Sequence, residues 1–146
     1  TDQMLWTIAG GRRKTRGKTS EPHLVPLDNF HLDLLKAVKA TTEHDHFLFP
    51  ARGGETARRY DSLTHAVRVY VQTSGMQSFS PRDLRRTFKT LAGSMGISLE
   101  MRNRLQGHAM TDVGSTHYDR WHYLPEKREA MQTWATGLGE IIAVDV

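Results

Sequence analysis

The sequence contains no cysteine. Disulfide scaffolds and cysteine-ligated zinc or iron–sulfur sites are therefore excluded, and the absence fits a reducing, cytoplasmic setting. Long apolar runs are missing too. No stretch approaches the ~20 residues a membrane span needs, so no membrane partner is expected. The N-terminus, Thr1-Asp2-Gln3-Met4, lacks the charged head and apolar stretch of a secretory signal. Its opening on Thr rather than Met gives the expectation of a fragment. Internal repeats and low-complexity tracts are absent as well, and no domain boundary is evident.

What is present is a 146-residue chain, 38% apolar, which can bury one sizeable core and is expected to form a single domain. Lys and Arg number 20 against 16 Asp and Glu, for a net charge of +4. That excess is modest, and its distribution says more than its size.

Met4-Leu5-Trp6-Thr7-Ile8 and His23-Leu24-Val25-Pro26-Leu27 are short β-prone runs, and the Gly- and base-rich Gly10 to Ser20 between them reads as a long hairpin connection. Five cations between Arg12 and Lys18 repel one another unless anions approach. Asp28 caps a helix expected over Asn29 to Ala40, with Phe30, Leu34, Leu35 and Val38 on one face. Phe47-Leu48-Phe49-Pro50 reads as a short buried stretch, and Gly53-Gly54 opens a loop. Asp61 starts a second helix, whose Leu63, Ala66, Val67, Tyr70 and Val71 follow helical spacing until Thr73-Ser74-Gly75 stops it.

The third helix is the best signalled. Ser80 stands at its N-cap, Pro81 at its first position and Asp83 three residues after the cap, close to a capping box. At about 100° per residue, Leu84, Phe88, Leu91 and Met95 share one face while Arg82, Arg85, Arg86 and Lys89 form a cationic stripe on another. Gly96 ends this helix, Ser98 caps the next, and Gly107 closes that one just before His108. A polar stretch leads to His117-Tyr118-Asp119-Arg120, and a last helix is expected from Pro125 to about Leu138. The tail Ile141-Ile142-Ala143-Val144 is apolar and β-prone, so it is expected to pack on a neighbour. The chain is thus expected to be α+β and mainly α-helical.

Arg82-Asp83-Leu84-Arg85-Arg86-Thr87, Leu105-Gln106-Gly107-His108 and His117-Tyr118-Asp119-Arg120 occur in this order within some forty residues. In these boxes, and in the upstream strands and basic hairpin, the sequence resembles the tyrosine recombinases, specifically the prophage integrase branch. The resemblance covers nearly the whole chain. It implies the catalytic-domain fold of that family, with a small β-hairpin beside a helical bundle. It also implies site-specific DNA recombination through a 3′-phosphotyrosyl intermediate, with double-stranded attachment-site DNA as partner. Metal, ATP and other cofactors are not needed, because each broken phosphodiester is conserved as a phosphotyrosine.

Residue by residue, the resemblance makes Tyr118 the nucleophile. Arg85 corresponds to the family's second arginine, whose planar fork can hold two phosphate oxygens, and His108 to the histidine that donates to the phosphate. Arg82 stands where histidine is commoner. A guanidinium cannot accept the tyrosine proton, so Arg82 is assigned to phosphate binding and the general base is left open. The hairpin lysine that protonates the leaving 5′-oxygen is Lys14 counting forward from Trp6 and Lys18 counting back from Pro26. Lys14 is preferred, because a long loop absorbs the extra residues after it. The family's first arginine lies upstream of the hairpin and has no counterpart between Thr1 and Trp6. The expectation is that the chain lacks the N-terminal part of the catalytic domain and the DNA-binding domains before it, and that it cleaves weakly alone. Family members act as tetramers that exchange C-terminal segments, a role that suits the apolar tail.

Two other readings compete. Ala92-Gly93-Ser94-Met95-Gly96-Ile97-Ser98 is similar to the turn of a helix-turn-helix, followed by Arg102 and Arg104, which suggests a non-catalytic DNA-binding regulator. A cationic interaction domain is the third. His44-Asp45-His46 is too sparse in ligands at structural spacing to suggest a metal site.

Overall fold

The computed structural model describes residues 4–10, 22–42, 44–108 and 121–144. Within them the chain is mainly helical with one two-stranded antiparallel sheet. Strands β1 (Leu5–Ile8) and β2 (His23–Pro26) are followed by helices α1 (Asn29–Thr42), α2 (Asp61–Ser74), α3 (Pro81–Ser94), α4 (Leu99–Leu105) and α5 (Leu124–Val144). No described helix is long and apolar enough to cross a membrane. Contacts cluster in two compact units, one of Thr1–His31 with Ala92–Val146 and the other of Leu32–Leu91.

In the first unit, β1 and β2 pair in the register Leu5↔Pro26, Trp6↔Val25, Thr7↔Leu24 and Ile8↔His23. Both strands are edges, so Pro26 can end β2 without a backbone N–H. β2 packs on α5, and α5 on α4. Val25, Ile97, Leu105, Ala130, Met131 and Ala135 are buried, the last three at helical spacing along α5. Lys127 shares that face. It is buried, and its Nζ donates to the Leu24 carbonyl at 3.2 Å. His23 ties the sheet to α4: its Nε2 lies 3.0 Å from the Leu105 carbonyl, which can only accept, so Nε2 carries the proton.

The unit Leu32–Leu91 has no buried residue among those described. Leu34, Leu63, Tyr70 and Leu84, placed on apolar faces by their spacing, are all more than half exposed. Periodicity identifies an amphipathic face but not what covers it. Phe47-Leu48-Phe49-Pro50, expected to be buried, is half-buried at best, with Phe49 exposed. What orders this stretch is His44. Its Nδ1 accepts the amides of His46 at 3.1 Å and Phe47 at 2.9 Å, while Nε2–H donates to the Gly54 carbonyl at 2.7 Å.

The starts of α1 and α4 follow the expected caps. Asp28 Oδ1 accepts the His31 amide at 3.1 Å, and Ser98 Oγ accepts the Met101 amide at 3.2 Å. The last helix departs from expectation, continuing through Ile141 to Val144 instead of ending near Leu138 as a β-prone tail. Adding a residue to an existing helix gains a hydrogen bond without a new nucleation cost, which outweighs the small helix penalty of β-branched side chains.

Candidate functional site

The cationic face of α3 begins at a cap that makes one half of the expected box, the bond from the Ser80 amide to the Asp83 side chain. The Ser80 amide and hydroxyl both donate to Asp83 Oδ2, at 2.9 and 2.7 Å, so the hydroxyl gives a hydrogen bond where a capping serine would accept one. The Ser80 hydroxyl first, then its amide, with Arg86 contributing further, hold the Asp83 carboxyl below its ordinary pKa. Arg86 is committed to that cap by an ion pair with Asp83 at 2.8 Å. Arg82 and Arg85 are exposed, three residues apart and therefore neighbours on the helix surface. Each guanidinium offers five N–H donors and no acceptor, a set suited to phosphate oxygens.

His108 is positioned by the end of α4. Gly107 adopts φ 64°, the left-handed conformation that favours glycine. Its amide donates to the Arg104 carbonyl at 3.1 Å, and the His108 amide donates to the Asn103 carbonyl at 2.9 Å. These two bonds are a Schellman cap. The histidine backbone thus serves as the cap, and its exposed ring stands with Nδ1 3.4 Å from Asn103 Oδ1.

Of the residues singled out by the boxes, Arg82 and Arg85 share α3 in the unit Leu32–Leu91, and His108 belongs to the other unit. Tyr118, Lys14 and Lys18 lie outside the described residues. The His44-Asp45-His46 stretch has both His44 ring nitrogens engaged with backbone groups. Among the described residues no group of three His, Cys, Asp or Glu is arranged to hold a metal ion.

Sequence reasoning missed the pairing of Arg104 with Tyr123. The Arg104 guanidinium carbon lies 3.5 Å from the centroid of the Tyr123 ring, and its Nε donates to Glu100 at 2.9 Å. The pair is separated by nineteen positions and has no helical spacing to announce it; only the positive φ of Tyr123, 54°, marks it in the structure. Lys127 was equally hidden, because Glu126-Lys127-Arg128-Glu129 reads as a solvated charge run.

No protein-family model, no curated protein and no solved structure matches the chain.

Proposed function

We propose that this chain is the catalytic region of a prophage-integrase-type tyrosine recombinase, which cleaves and rejoins double-stranded DNA. The observation that carries this reading is the ordered series Arg82 to Thr87, Leu105 to His108 and His117 to Arg120. Two features support it. Arg82 and Arg85 are exposed side by side on α3, and the His108 ring is exposed at a rigid cap.

In the proposed reaction Tyr118 Oη gives up its proton to solvent and attacks the scissile phosphorus, and the P–O5′ bond breaks, its electron pair leaving on the 5′-oxygen. Lys14 supplies the proton that makes a free 5′-hydroxyl. Arg85, Arg82 and His108 balance charge on the non-bridging oxygens as the transition state forms, an electrostatic contribution that fixed donors make well. Rejoining reverses these steps on a partner strand. Self-association to a tetramer would use the end of α5, where Ile141 and Ile142 are exposed.

The regulator reading draws on a real feature, the α3–turn–α4 arrangement. Gly96 at φ 84° and the Ile97 amide donating to the Ala92 carbonyl at 3.0 Å form that turn. Its arginines argue against it as a DNA-reading element. Arg102 lies over Gly93, where an added Cβ would come within 2.6 Å of Nη1, and Arg104 is stacked on Tyr123. The α4 helix is also only seven residues long.

Incubation with a pool of nicked duplexes tests the proposal. The expected product is a protein–DNA adduct whose peptide maps to Tyr118, lost in Tyr118→Phe while DNA affinity is kept. An adduct that survives Tyr118→Phe, or none from the unsubstituted chain, would refute it.

A further inference from the structure

Arg104 meets both the end of α4 and the residue before α5. On one side its carbonyl accepts the Gly107 amide at 3.1 Å, half of the cap that orients His108. On the other its guanidinium covers the Tyr123 ring at 3.5 Å. The Glu100 carboxylate, 2.9 Å from Nε, holds the guanidinium in place, and the Arg104 side chain is only 15% exposed. Tyr123 takes a left-handed φ of 54°, which a bulky aromatic adopts only at a cost. Its carbonyl accepts the Lys127 amide at 2.9 Å in the first turn of α5, and Trp121 Nε1–H donates to Glu126 at 3.3 Å. The backbone therefore bends at the entrance to α5 while the ring lies against an arginine of α4.

We propose that the Arg104–Tyr123 stack is a clasp between the end of α4 and the entrance to α5, making Arg104 a positioning residue for the cap that carries His108. For its catalytic consequence this rests on the recombinase reading, in which His108 donates to the scissile phosphate. Bringing together groups distant along a chain costs entropy. A clasp meets that cost in the folded protein instead of at each encounter with DNA, and so keeps the His108 donor in place. The flat guanidinium is suited to the role, since a lysine ammonium keeps the charge but has no face to stack.

Hydrogen exchange of the unbound chain tests the clasp directly. Arg104→Leu and Tyr123→Leu should each speed exchange by at least about tenfold at amides 105–108 and 121–127 together, with the double variant no faster than either single one. Tyr123→Phe, which keeps the ring face, should be accelerated less than Tyr123→Leu. Should Arg104→Leu not fold, Arg104→Lys is expected to give the same loss. Acceleration on one side only, or additive effects, overturns the clasp. On nicked duplex DNA, Arg104→Leu and Tyr123→Leu should each slow adduct formation about tenfold while affinity stays within about twofold, and Tyr123→Phe should be slowed less than Tyr123→Leu. Parallel loss of rate and affinity overturns the positioning role. Absence of an adduct from the unsubstituted chain counts against the recombinase reading, while the exchange result still decides the clasp.

Discussion

Asp83 accepts two hydrogen bonds from Ser80 and an ion pair from Arg86, and these hold its carboxyl below the ordinary aspartate range. Because the native pKa is the lower one, the ionised carboxylate stabilises the fold at any pH above the unfolded value. That contribution fades as pH falls below about 4 toward the native pKa. The start of α3 should therefore weaken in acid, and Asp83→Asn should flatten the acid limb of the urea midpoint measured from about pH 5 down to about pH 2. An unchanged limb would show that the cap does not depend on the charge. The same contacts divide the labour among the cations of α3. Arg86 closes the cap, and Arg82 and Arg85 are exposed within the same two turns. Local sequence announced this cap because Ser80, Pro81 and Asp83 act within one turn. The direction of the Ser80 hydroxyl was not announced, since a hydroxyl can either donate or accept.

Among elements, α5 shows most clearly where pattern and outcome part. Ala130, Met131 and Ala135 make its buried stripe, and small side chains let it approach the sheet and α4. Gly139 lies in the same helix with nothing within 4 Å of an added Cβ. Gly139→Ala should raise unfolding stability by about 0.5–1 kcal/mol, read from the urea midpoint, because alanine costs less chain entropy in a helix. A loss of stability would mean that the glycine serves a contact beyond this chain's own residues. Helix ends at Gly75, Gly96 and Gly107 were legible in the sequence because each is a local preference for the left-handed conformation. The fate of Ile141-Ile142-Ala143-Val144 was not: β-propensity reflects the surroundings a strand would have, and here the preceding helix supplies others.

For the molecule as a whole, charge is more unevenly placed than the total suggests. The unit Leu32–Leu91 holds 10 Lys and Arg against 6 Asp and Glu, a net of +4, while the rest of the chain holds 10 against 10 and is neutral. The entire excess therefore falls in the unit that carries Arg82 and Arg85. If Arg82, Arg85 and Lys89 each neutralise a phosphate, a fourfold rise in salt should weaken DNA binding by about fortyfold, since counterion release scales with the number of contacts. Titration of a fluorescent duplex at several salt concentrations measures this slope, and affinity indifferent to salt would favour a cationic interaction domain instead. What the sequence determined by itself is what lies close along the chain: the helix starts, the glycine stops, the pairing-prone strands and the order of the three boxes, all governed by backbone preferences over a few residues. Tertiary structure alone decided which apolar faces are covered, that Lys127 is buried against Leu24, and that Arg104 meets Tyr123. Those outcomes depend on which distant groups share space once the chain has folded, and neither spacing nor composition encodes such a neighbour directly.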